Sequence, residues 1–198
     1  MIKIVKVKGM NAMTKHVIFI QGGGAGAYEA DRKLADHLQA LLGSEYEVHY
    51  PRMPDEGRPD YEAWAAQINA DLAAQSGDVV LVGHSLGASF VLKYLSEEIP
   101  SASISGLFLI AAPYWGTEDW EVDEYTLQEG FESRLPSIQR IYLYHSRDDV
   151  WVPFSHLALY AQKLPQALIR EFDERGHQFN NDLSEVAQDI INAKGGLS

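Results

Sequence analysis

With 198 residues, 46% of them apolar, the chain is long enough for one buried core and too short for two ordinary domains. It contains no cysteine, which excludes disulfides, thiol nucleophiles and thiolate metal sites, and its net charge of −12 disfavours nucleic-acid backbones and anionic membrane surfaces as partners. No apolar run reaches the length of a membrane span and no apolar leader with a small-residue cleavage site is seen, so the expectation is a soluble, cytoplasmic protein.

Residues 1–8 alternate Ile2, Ile4, Val5 and Val7 with Lys3, Lys6 and Lys8, a pattern that suits an edge strand. Met10 and Met13 offer later starts, so residues 1–14 read equally as an extension ahead of a single domain over 15–198. His16 to Ile20 is a β-branched and aromatic run, the mark of a buried strand. The loop Gln21-Gly22-Gly23-Gly24-Ala25-Gly26-Ala27 follows. It leads into a helix expected over 29–42, with Leu34, Leu38, Leu41 and Leu42 inward and Gly43 as its stop.

Two chemistries suit such a loop. Bare glycine backbone can approach a developing oxyanion, with Gly23 as donor. Alternatively, Gly22-x-Gly24-x-x-Ala27 fits a dinucleotide fingerprint. The second strand, Tyr46 to Tyr50, lacks the terminal acid that holds a ribose, although Arg52 could meet the 2′-phosphate of NADP. A Pro-rich loop over 51–59 precedes Asp60, placed to cap a helix over 61–74 whose Tyr61, Trp64, Ala65, Ile68 and Leu72 form one stripe.

The most informative stretch runs from Asp78 to Leu95: an apolar strand, Gly83-His84-Ser85-Leu86-Gly87, and an amphipathic helix. A strand reversing into a helix over so few residues forces the central serine into a strained conformation, and side chains at 83 and 87 would collide with their surroundings. Ser85 Oγ is thereby lifted to the carboxyl edge of the sheet, with the Leu86 N–H at the helix N-terminus facing the same space.

Gly106 to Ala112 is the next buried strand. Residues 113–136 break the alternation with aromatics (Tyr114, Trp115, Trp120, Tyr125, Phe131) and seven acids against one base, Arg134. This composition suits a lid carrying apolar substrate-binding surface on Tyr114, Trp115 and Phe131, or else a surface excursion pinned by its aromatics. Strands at 139–145 and 167–172 and helices at 154–164 and 182–194 complete the pattern.

A serine hydroxyl needs a base, and the base an orienting carboxylate. Of seven histidines, His177 lies in the polar loop leaving the final strand, on the same sheet edge as Ser85. His84 is turned away from Oγ by the elbow, while His145 and His156 suit packing roles. Asp148 and Asp149 follow the preceding strand; Asp149 is favoured because Val150, Trp151, Val152 and Pro153 would pack the loop down beneath it. The order Ser, Asp, His is that of an α/β-hydrolase.

The chain resembles the α/β-hydrolases, and among them the small serine hydrolase family that includes retinoblastoma-binding protein 9 and related bacterial hydrolases. The resemblance runs from Lys15 onward and rests on the Gly-His-Ser-Leu-Gly elbow, on Asp149 four residues before Pro153, and on Gly176-His177 after the last strand. The commoner His-Gly of the oxyanion loop is here Gln21-Gly22. The resemblance implies a compact α/β fold, a mostly parallel central sheet with helices on both faces and at most a small lid. It also implies hydrolysis of a carboxylic ester or thioester by Ser85, Asp149 and His177, with Gly23 and Leu86 as oxyanion donors and no cofactor or metal. A catalytically idle fold serving as a protein-binding module and an NADP-binding protein are the alternatives.

Overall fold

The computed structural model describes residues 14–117 and 120–193, so the edge strand expected within residues 1–8 lies outside the described residues. The described residues form six strands and five α-helices, alternating except between β4 and β5: β1 (Lys15–Ile20), α1 (Ala27–Leu42), β2 (Tyr46–His49), α2 (Tyr61–Ala73), β3 (Asp78–His84), α3 (Leu86–Glu97), β4 (Ser103–Ile110), β5 (Ile141–Ser146), α4 (Ser155–Lys163), β6 (Leu168–Phe172) and α5 (Ser184–Asn192). The sheet order is β2-β1-β3-β4-β5-β6 and every pairing is parallel.

Both faces of the sheet are covered, and the two-residue period of the strands divides the core accordingly. On β1, Val17 and Phe19 join Leu34 and Leu38 of α1 and Val186 and Ile190 of α5, whereas Ile18 and Ile20 face Trp64 and Ile68 of α2 and Phe90 of α3. Leu41 is the exception to the stripe expected on α1: Leu34, Leu38 and Leu42 follow the four-residue spacing and are buried, while Leu41 falls outside it and is exposed. Asp60 caps α2 by accepting from the Ala63 N–H at 2.8 Å, and Gly43 ends α1 at φ 67°. β4 begins and ends earlier than its apolar run, because Ala111 turns out of the strand at φ 50°.

β1 lies between β2 and β3, so the chain winds outward from it in both directions. The carboxyl ends of β1 and β3 therefore open a crevice, the place where ligands settle in sheets of this kind. The Gly-rich loop after β1 and the elbow after β3 are thereby made neighbours. Over residues 113–136 the chain forms two single 3₁₀ turns, Asp123–Tyr125 and Phe131–Ser133, and packs its aromatics onto α3. No helix of the described residues is long and apolar enough to cross a membrane.

The closeness of α3 to β1 sets a measurable constraint. A methyl group on Gly87 would meet Gln21 O at 2.2 Å and Ile20 O at 2.6 Å, both backbone atoms of a buried segment, whereas one on Gly57 would meet nothing within 4 Å. Overpacking of this kind costs about 1–3 kcal/mol. Gly87→Ala is expected to lower the thermal midpoint by roughly 2–12 °C for a chain of this size, and Gly57→Ala by less than about 2 °C. Equal midpoints for the two variants would contradict this packing.

Candidate active site

Ser85 occupies the turn between β3 and α3 with φ 52° and ψ −125°, a conformation that a residue with a side chain adopts only under constraint. Three contacts impose it. The Ser85 N–H donates to Ile110 O at 2.8 Å; a Cβ on Gly83 would lie 2.5 Å from Ala88 Cα; and Gly87 abuts the end of β1. Helix α3 is buried from Leu86 to Ser96, so the elbow cannot relax by tilting the helix away.

Asp149 and His177 meet over the same crevice. Asp149 Oδ2 lies 2.8 Å from His177 Nδ1, with the carboxylate fully buried and the imidazole mostly so. The other oxygen, Oδ1, accepts the N–H groups of Trp151 at 2.8 Å and Val152 at 2.9 Å, so the loop folds back on its own carboxylate. His145 Nε2 faces two acceptors, Val152 O at 3.0 Å and Asp149 Oδ2 at 3.3 Å, and therefore carries a proton. Burial alone would raise the Asp149 pKa, but hydrogen bonds from His145, His177 and the Val152 N–H outweigh it and hold the acid well below the usual carboxylate range. His177 moves below its ordinary value, chiefly by burial, which the hydrogen bond to Asp149 only partly offsets. The charged Asp149 accepts, so Nδ1 of His177 holds the proton and Nε2 is the basic nitrogen. In this resting arrangement Ser85 Oγ and His177 share the cavity without a direct hydrogen bond.

Asp148 has a different task. Its Oδ1 accepts from Ser146 Oγ and, at 2.8 Å, from the Gly176 N–H, and Ser146 Oγ accepts from the Arg175 N–H at 2.8 Å. It fastens the backbone just before His177 to the end of β5.

The glycine loop passes directly over the elbow. A Cβ on Gly22 would come within 3.2 Å of Ser85 Cβ, and one on Gly23 within 2.5 Å of Leu86 Cδ2. Its amides are already divided among acceptors. Gly22 N donates to Asp31 Oδ2 at 2.7 Å, Gly24 N to Glu56 O at 2.6 Å, and Gly26 N and Tyr28 N to the Glu56 carboxylate at 3.2 and 2.7 Å. Among the described residues, no hydrogen bond takes up the N–H of Gly23 or of Leu86. Gln21, fully buried, donates its amide to Glu56 Oε2 at 2.8 Å and accepts from Met53 N, so it ties this loop to residues 53–56.

This arrangement overturns the dinucleotide alternative. The N-terminus of α1, where a pyrophosphate would sit, is occupied by the Glu56 carboxylate, which the Tyr28 N–H and the Gln21 amide hold charged against the cost of its burial. Arg52 lies over the Tyr28 ring and pairs with Glu29 at 3.1 Å instead of awaiting a phosphate.

Ser85, His177, Gly23 and Leu86 all line one cavity of about 550 Å³, walled further by Pro59, Pro113, Trp115, Trp120, Tyr125, Trp151 and Val152. Of the three aromatic residues expected to bind substrate, Trp115 is present and the other two are not. Phe131 is buried in the core beneath α3, and Tyr114 packs edge-on to Tyr160 at 4.9 Å while its N–H donates to His156 Nδ1. Trp120, Tyr125 and the highly exposed Trp151 take their places. Among the described residues, neither Lys nor Arg lines the cavity, and no acid of residues 113–136 does. Away from it, His16, Glu47 and His49 cluster on β1 and β2 with atoms able to bind a metal within 4.8 Å of one another, but His16 Nδ1 and His49 Nε2 already bond each other at 3.0 Å.

Comparison with known proteins finds relatives for the whole fold. The chain is 28% identical to YdeN of Bacillus subtilis (strain 168) over 174 residues, covering 83% of this chain and 86% of that one. The crystal structure of the B. subtilis ydeN gene product superposes with a TM-score of 0.77 at 23% identity, over 92% of this chain and all of that one. The Pyrococcus furiosus esterase Pf2001 superposes with a TM-score of 0.67 at 15% identity, over 92% and 81% of the two chains. These likenesses identify the fold as that of the α/β-hydrolases. The serine hydrolase family profile matches residues 30–183, and the chain belongs to that family.

Proposed function

We propose that this hydrolase cleaves a neutral carboxylic ester or thioester through an acyl-enzyme on Ser85. The observation that carries the reading is that Ser85, held at φ 52°, shares a cavity with His177, whose Nδ1 is fixed by the buried carboxylate of Asp149. In this reading His177 Nε2 takes the Ser85 proton as Oγ attacks the carbonyl carbon. It then returns that proton to the leaving oxygen or sulfur and activates water to release the acid. Asp149 keeps the ring in the productive tautomer and stabilises the imidazolium. The two unclaimed amides, Gly23 N–H and Leu86 N–H, are the donors for the tetrahedral oxyanion, the second at the N-terminus of α3. Pro113, Trp115, Trp120, Tyr125 and Trp151 supply apolar surface for the acyl or leaving group, and among the described residues no Lys or Arg lines the cavity and His84 is already paired with Asp31, so a second carboxylate on the substrate has no free counter-charge.

The direct test is turnover of a matched pair of esters, one neutral and one carboxylated. The neutral ester is expected to show the higher kcat/KM, and Ser85→Ala to lower its kcat by roughly 10⁴ to 10⁶. Turnover by the variant at the wild-type rate would refute the assignment, and an equal or better rate on the carboxylated ester would refute the substrate class.

The two aspartates are expected to separate. Asp149→Asn removes the acceptor that sets the His177 tautomer and should cost on the order of 10⁴ in kcat. Asp148→Asn retains an amide oxygen for Ser146 and Gly176 and should cost less than about tenfold. Reversal of the two costs would transfer the orienting role to Asp148.

The pH profile follows from His177. The base must be neutral to act, and burial lowers its pKa from 6.5. The acid limb of kcat/KM is therefore expected below pH 6.5, with activity rising through it and level at neutrality. An acid limb above 6.5 would contradict the environment described for this imidazole.

A further inference from the structure

We propose that Asp31 and His84 form a buried ion pair that positions the His177 loop and the oxyanion loop against the elbow. The proposal rests on the reading of His177 as the base. His84 immediately precedes Ser85; it and Asp31 both reach the wall of the cavity, yet their side chains are each only 2% exposed.

The protonation state follows from the partners. His84 Nδ1 lies 2.8 Å from Asp31 Oδ2, and His84 Nε2 lies 3.0 Å from the backbone oxygen of His177. A carboxylate and a carbonyl both accept. A neutral imidazole has one N–H and would leave one of these contacts as two facing lone pairs, so the geometry requires the doubly protonated imidazolium. Burial opposes that charge, but Asp31 outweighs it and raises the His84 pKa, while Asp31 itself is lowered despite its burial.

The pair is also a junction. The carboxylate of Asp31, from α1, accepts from His84, from the Gly22 N–H at 2.7 Å and from the Gln178 side-chain amide. One acid thus holds the residue before Gly23, the residue before Ser85 and the residue after His177, and His84 holds the His177 carbonyl. Three chain segments that must agree in position for acyl transfer are tied to one buried point. The charged or titratable groups facing His84 are Asp31 from α1, His177 from the loop after β6, and Asp149 from the loop after β5. The His84 and His177 rings are 4.9 Å apart, and the cation on the first opposes protonation of the second.

The test uses ¹⁵N-histidine-labelled protein and long-range ¹H–¹⁵N spectra, which distinguish imidazolium from either neutral tautomer without any substrate. Both nitrogens of His84 are expected to read as still protonated above pH 6.5, where an ordinary imidazole has lost its charge. In His84→Gln, and separately in His84→Asn, the His177 titration is expected to move to higher pH, because the nearer cation is lost while the Asp31 carboxylate, which favours a charged His177, remains. With a hydrolysed ester, kcat should fall by roughly 10²-fold with KM within about threefold, and the acid limb should move with the His177 titration.

A His84 found as a single neutral tautomer near neutrality, or a His177 titration unmoved in a folded variant, would overturn the proposal. Should either variant fail to fold, the wild-type spectrum still decides the protonation state. An absence of ester turnover alongside an imidazolium His84 would count against the proposed reaction and not against the ion pair.

Discussion

The site depends on one steric constraint, the confinement of Ser85 at φ 52° between two glycines that have no room for a side chain. A strained residue of this kind costs about 1–3 kcal/mol and persists only where its surroundings over-determine it. Here the backbone of β4 takes the Ser85 N–H, α3 is buried along nearly its whole length, and the end of β1 presses on Gly87. The same contact that forbids a methyl group on Gly87 brings the chain after β1 over the elbow. The two candidate oxyanion amides become neighbours because the helix start and the glycine loop are packed into each other. The proposed nucleophile and the candidate anion site are thus consequences of a single close approach of α3 to β1.

Around that point the charges are arranged so that no carboxylate lacks donors. Asp149 serves the imidazole facing the cavity, Asp31 the imidazole behind the elbow, and Glu56 the exposed amides of the glycine loop and the start of α1. Each acid takes N–H groups from segments distant in sequence, so each fixes one loop relative to another. Because an unpaired buried charge is far costlier than a paired one, these contacts form together or not at all, and the loops gain a single relative arrangement. The glycines let backbone approach backbone, and the carboxylates then hold what has approached. Beyond the paired Asp31 and His84, much of the remaining wall is aromatic, with Trp115, Trp120, Tyr125 and Trp151, which suits a substrate whose binding comes from apolar area.

Much of this was legible in the sequence because it is local. The β-branched runs at 16–20 and 78–82 and the Leu34, Leu38, Leu42 spacing state their own secondary structure, and Gly83 to Gly87 carries the elbow within five residues. The order of Ser85, Asp149 and His177 followed from parallel strands placing successive loops on one edge. Asp31 and Glu56 carried no such signal. An acid on a helix and another in a Pro-rich loop look like surface charge, and their partners lie 53 and about 30 positions away. His84 was visible but read only for its reach toward Oγ, whereas its partners lie on the other side. Tyr114 and Phe131 were indistinguishable from Trp120 and Tyr125 for a related reason: an irregular segment has no period, so composition announces aromatics without saying which face the cavity. Leu41 shows the limit within a helix, where one position beside the stripe exchanges core for solvent.

The central claim is that the confined serine, and no other, is the nucleophile. It is tested most directly by treating the protein with a fluorophosphonate and locating the adduct by peptide mass spectrometry. The account requires one phosphonyl group per chain, on Ser85, with the nearby buried Ser89 and Ser146 unmodified. An unmodified chain, or an adduct on a different serine, would contradict it.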